Sequence, residues 1–155
     1  LELDVGLHRG GLEPGEALGA VLASIKAHPR LSFAGFMGYE PHVASLPEAF
    51  GWRERVLDEA WRVYRVALAQ AGDVFNAEEM KGITRNAAGS PTYRYYRDTR
   101  IANEVSAGSC LVKPTHFDTD LLAAHVAASF IAWLRAETAP ASARPRATRK
   151  TSPAR

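Results

Sequence analysis

The chain has 155 residues, a length that by itself indicates one ordinary domain. Apolar residues make up 46%, enough for a core and so against wholesale disorder, and the single cysteine, Cys110, excludes an internal disulfide framework or a multi-cysteine metal site. The formal charge of +2 is unevenly held: after Trp133 six basic residues (Arg135, Arg144, Arg146, Arg149, Lys150, Arg155) stand against Glu137, giving that tail a net +5 and the rest of the chain −3.

Leu1, Leu3 and Val5 alternate with Glu2 and Asp4, the period of a strand. A glycine-rich loop, Gly6 to Gly11, follows. Pro14 and Glu16 suit the first turn of a helix whose apolar face is Leu18, Val21, Leu22 and Ile25, and His28-Pro29 ends it. Leu31 to Met37 reads as a second strand, apolar on both faces as in a parallel sheet covered by helices. After a loop from Gly38 to Pro47, a long helix is predicted to about Ala71. Its stripe is Val56, Leu57, Ala60, Trp61, Tyr64, Ala67 and Leu68, with Arg53, Glu54, Asp58, Glu59 and Arg62 turned to solvent.

A third strand is predicted over Gly82 to Asn86, a short helix from Tyr93, and a fourth strand over Asn103 to Ser106. Leu121 to Leu134 reads as a helix, with a strand as the alternative over Val126 to Ile131. Alternating strands and helices define an α/β chain. From Ala136 onward no aromatic, Leu, Ile, Val or Met occurs, so residues 135–155 are expected to be a disordered basic tail. A basic tail on an acidic body argues against nucleic acid as a partner. No apolar run approaches the roughly 18 residues of a membrane span, and no signal-peptide pattern is seen. A cytoplasmic protein with no membrane partner is expected.

Each predicted strand ends in a loop of glycine or small polar residues: Gly6–Gly11, Gly38–His42, Ala87–Thr92 and Gly108–Ser109. Ligands of α/β folds collect at the carboxyl ends of strands. The backbone N–H groups and hydroxyls of Asn86–Thr92 and Ala107–Ser109 suit a phosphate, although small-residue turns also occur without one.

These segments resemble a known family. Leu3-Asp-Val-Gly-Leu-His-Arg-Gly-Gly-Leu12 is similar to the fifth-strand motif of the alanine-racemase-like, fold-type-III barrels that bind pyridoxal 5'-phosphate. Gly35-Phe-Met-Gly-Tyr-Glu-Pro-His42 resembles the sixth-strand motif, and Asn86-Ala-Ala-Gly-Ser-Pro-Thr-Tyr93 the phosphate loop after the seventh. The run from Asn103 to Asp118 resembles the segment after the eighth. The nearest branch is that of the D-threonine aldolases and D-serine dehydratase-like (deaminase-like) enzymes. The resemblance implies a partial (β/α)8 TIM-type barrel over residues 1–134, about the second half, with roughly four parallel strands.

It also implies roles. Arg9 would lie near the cofactor or a substrate carboxylate, and Tyr39 and His42 would approach the pyridine ring. His42, with Arg9, would be the catalytic group, since imidazole exchanges protons near neutral pH. Asn86, Gly89, Ser90, Thr92, Gly108 and Ser109 would hold the phosphate. A surface arginine, a satisfied loop histidine and a helix-capping Ser-Pro-Thr are the plain alternatives. The family loop is typically richer in glycine, where this chain has Ala87 and Ala88.

The lysine that forms the Schiff base sits on the family's first strand. Lys26, Lys81, Lys113 and Lys150 fall at none of the expected positions. No metal is expected, because His116 and Asp118 alone do not make a site and the family's metal-carrying C-terminal domain has no counterpart here. The expectation is therefore a fragment of an enzyme acting on D-amino acids or 3-hydroxy amino acids, inactive alone, with a truncated or frameshifted tail. Another chain could complete the barrel. The alternative is a non-catalytic half-barrel that binds a phosphorylated small molecule.

Overall fold

A computed structural model describes residues 1–97 and 100–111. Strand β1 (Glu2–Leu3) leads through a loop to helix α1 (Glu16–Ala27), then to β2 (Gly35–Gly38). A four-residue helix α2 (His42–Ser45) and a 3-10 turn (Ala49–Gly51) precede the long helix α3 (Trp52–Gly72). Helix α4 (Ala77–Lys81), strand β3 (Thr84–Ala87), a 3-10 turn (Tyr93–Tyr95), strand β4 (Glu104–Val105) and a 3-10 turn (Ser109–Leu111) complete it.

The sheet runs β1-β2-β3-β4 with every pair parallel. Each strand is laid beside the previous one and the order never reverses. A doubly wound sheet reverses at its switch point, whereas a barrel wall does not. The architecture is thus an α/β partial TIM-type barrel.

Register divides the strand residues between two faces. Glu2, Met37, Asn86 and Glu104 stand in one row, and Leu3, Gly38, Ala87 and Val105 in the next. Leu3 and Ala87 join Phe36, Leu18, Leu22, Tyr64, Ala67 and Ala71 in the core between sheet and helices. Phe33 packs edge-on to Phe36 and stacks on Phe75, each at 4.9 Å between ring centres. The buried Tyr64 hydroxyl on α3 reaches the carbonyls of Phe36 (2.8 Å) and Asn86 (3.0 Å), and so fastens the helix to two strands at once. At Gly35, φ is +132°, and a Cβ there would fall on the Thr84 carbonyl, so only glycine allows β2 and β3 this approach.

Several elements depart from the sequence reading. Leu31 to Ala34 was expected in the second strand, but β2 starts at Gly35. β3 pairs only from Thr84, whose N–H reaches the Ala34 carbonyl, so Leu31 has no strand to join and is exposed. Arg53 was expected to face solvent and is instead buried, because its Nε donates to the Leu46 carbonyl at 2.6 Å. Helix α4 was not anticipated, although Asn76 and Glu79 form a capping box that marks its start. Helix α1 ends at Ala27, with His28 extended as the following proline requires. The expected helix over Leu121–Leu134 and the tail lie outside the described residues.

Candidate functional site

The carboxyl ends of the four strands share one edge of the sheet. Past β1, Asp4 organises its loop: Oδ1 accepts the N–H groups of Gly6 and His8, both at 3.0 Å, and Oδ2 lies 2.8 Å from His8 Nδ1. His8 is held at φ +53°, a region that rewards such local side-chain bonding. The Asp4 bond and charge raise the exposed His8 imidazole above its ordinary pKa, and Asp4 itself is lowered. Glu13 brings a third potential metal-ligand atom within 4.8 Å of those of Asp4 and His8, but the Asp4 oxygens already serve this loop.

Past β2, Tyr39 lies beneath Arg9, whose guanidinium sits 4.7 Å from the ring centre and donates to Glu2 at 2.9 Å. His42, at the start of α2, packs against Gly6: a Cβ on that glycine would come 3.3 Å from Nε2. Burial, then the nearby His8 charge, lowers the His42 pKa, so its neutral form is favoured near pH 7. Its Nδ1 is buried and has no hydrogen-bond partner among the described residues.

Past β3 the chain turns sharply. Ala88 takes φ +64°, and the space where a Gly89 Cβ would stand is filled by the Tyr39 ring. Thr92 is fully buried; its hydroxyl accepts the Gly89 N–H (3.2 Å) and donates to Glu40 (2.6 Å). Ser90 Oγ accepts the Cys110 N–H at 2.9 Å, which joins this loop to the segment past β4. The Asn86 amide donates to Glu104 (2.7 Å) and Ser106 (2.9 Å). Gly108 and Ser109 are exposed beside it in sequence, with open space where a Gly108 Cβ would point.

Several of the predicted residues are thus brought together, while His42 is placed against Gly6. Arg9 stacks on Tyr39, Tyr39 covers Gly89, and Ser90 next to it binds the segment that carries Ser109. Asn86 and Thr92 sit at the same edge with their side chains engaged by protein neighbours. Lys26 and Lys81 do not join them. Both lie at helix ends that lead into strands, hence at the amino edge of the sheet, and Lys26 pairs with Glu79 at 2.6 Å. Lys113, His116 and Asp118 lie outside the described residues.

Sequence reasoning missed Glu40. It is 1% exposed and burial pushes its carboxyl pKa upward. The available signal was a carboxylate between Phe36-Met37-Gly38-Tyr39 and Pro41, where a strand end was already expected.

The family model for the alanine racemase N-terminal domain matches residues 1–115. The chain belongs to that family, whose fold is a TIM-type barrel and whose members bind pyridoxal phosphate. A solved ala racemase-like protein from Idiomarina loihiensis is 21% identical, with a TM-score of 0.45 over 81% of this chain. The chain covers 30% of the length of that structure. No curated protein matches. Among the described residues, no helix is long and apolar enough to cross a membrane.

Proposed function

We propose that the carboxyl edge of this sheet is the cofactor-phosphate half of a pyridoxal-phosphate enzyme acting on D-amino acids or 3-hydroxy amino acids. The observation that carries this reading is the meeting of the loops past β3 and β4 through Ser90 and Cys110, with Tyr39 and Arg9 stacked alongside.

The donor set fits the group. Ser90 Oγ accepts the Cys110 amide and keeps its own proton to donate, and Ser109 adds a second hydroxyl at an exposed turn. Arg9 supplies a fixed cation, and the neutral His42 offers a buried nitrogen with no partner among the described residues. When bound, pyridoxal phosphate supplies an electron sink for carbanion chemistry. Ser90, Ser109 and Gly108 would hold its phosphate, Tyr39 would back the loop that presents them, and His42 would hold or move a proton at Nδ1. Asn86 and Thr92 would keep the loop in shape.

Among the described residues, Lys26 and Lys81 lie at the opposite, amino edge, which supports a binding role and not a covalent one for the described part of this edge. The test is titration of pyridoxal phosphate into the full chain, followed by borohydride. Reversible binding that weakens at least tenfold in Ser90→Ala, with no reduced adduct on Lys26 or Lys81, is expected. Absence of binding overturns the phosphate site, and a reduced adduct on Lys26 or Lys81 overturns the division of roles.

A further inference from the structure

Glu40 is a buried acid that no role above uses. An apolar residue would fill its place at lower cost, because a carboxyl loses its hydration there and must recover it from protein donors. It recovers it from one loop. The Thr92 hydroxyl donates to Oε1 at 2.6 Å, and the carboxyl also draws the Ala88 N–H, the Tyr96 hydroxyl and the N–H of Glu40 itself. Ala88 and Thr92 bracket Gly89 and Ser90.

The loop needs such a hold. Ala88 stands at φ +64°, which alanine does not favour unaided. Gly89 is held from the other side, since the Tyr39 ring occupies the space of its Cβ. Two successive residues at the end of β2 therefore grip the loop past β3, Tyr39 by packing and Glu40 by hydrogen bonds. We infer that Glu40 is the positioning residue of the 88–92 loop, fixing through Ala88 and Thr92 the conformation that presents Ser90 to a phosphate. The inference rests on the phosphate reading for what the loop presents, and on the loop geometry alone for what fixes it.

The experiment is residue-resolved amide exchange on the full chain without ligand. Glu40→Gln keeps the size but turns an NH2 toward donors that need an acceptor. The Gly89, Thr92 and Tyr93 amides should exchange at least tenfold faster, while the Met37 and Thr84 amides in the sheet keep their wild-type rates. Thr92→Val should do the same by removing the hydroxyl, and Thr92→Ser should restore protection. Loop rates within twofold of wild type in Glu40→Gln, equal behaviour of Thr92→Val and Thr92→Ser, or acceleration of sheet and loop together would each overturn the inference. A second arm measures inorganic phosphate binding by phosphorus NMR. Glu40→Gln should bind at least tenfold more weakly; binding equal to wild type overturns the inference. If the wild-type chain binds no phosphate, the proposed site falls and the exchange data still decide whether Glu40 sets the loop.

Discussion

The two faces of the sheet follow different rules. Toward the helices stand Leu3, Gly38 and Ala87, packed under Leu18, Leu22, Phe36 and Tyr64, with Leu18 and Leu22 fully buried. The opposite row is Glu2, Met37, Asn86 and Glu104, where Met37 is 39% exposed and Glu104 is open to solvent. The covered face is governed by burial, so its residues are apolar and their spacing betrays the element that carries them. The open face is governed by what it binds or by what would cover it, and three of its four residues are polar. In a complete barrel that row would line the interior, a place ordinarily filled by branched apolar side chains.

Substitutions can break this contrast. Leu22→Ala should cost the most, about 3 kcal/mol, because it leaves a cavity in the packed layer. Tyr64→Phe should cost about 2 kcal/mol by removing the two bonds its hydroxyl makes to the Phe36 and Asn86 carbonyls. Met37→Gln, on the open row, should change stability by less than about 0.5 kcal/mol. All three are read from urea unfolding, and equal losses for Leu22→Ala and Met37→Gln would erase the difference between the faces.

Protons sharpen the same contrast at the loops. The Asp4 carboxylate favours His8 in its charged form, so His8 should lose its proton above pH 6.5, and burial should make His42 lose its own below that value. Asp4→Asn should bring the His8 midpoint down toward 6.5. Nitrogen-15 NMR of the two rings checks this, and coincident midpoints in the wild type would contradict it. For Glu40 the sign runs the other way from a paired surface acid. Its folded pKa is raised, so stability should fall as pH rises from about 4.5, where the unfolded chain sheds its proton first, toward the folded value. Tyr96 and Thr92 from the loop and Tyr64 from α3 are the groups that face it. Glu40→Gln should remove that part of the pH dependence.

Much of the fold was legible because periodicity reports burial. The stripe Leu57, Ala60, Tyr64 and Ala67 on α3, the stop at His28 and the four strand-to-loop junctions all follow from local rules. What stayed hidden depends on partners distant in sequence. Leu31 failed as a strand residue because β3 does not extend to meet it. Arg53 is buried because a carbonyl seven residues earlier accepts its guanidinium. Glu40 finds Thr92 52 residues later, a separation no local pattern spans. Motif resemblance pointed to the loops at the carboxyl edge, while the bonds that shape those loops, such as Thr92 to Glu40 and Cys110 to Ser90, had no local signal.

Gly35 has a consequence for pairing errors. A parallel strand can slip by two residues and still keep each side chain on its proper face. Such a slip would carry Phe33 or Met37 to the point where the Thr84 carbonyl leaves room for a hydrogen atom alone. The glycine therefore acts as a steric key that admits one alignment of β2 with β3. It also sets the relative height of the two loops beyond them, so that Tyr39 meets Gly89 and not its neighbours.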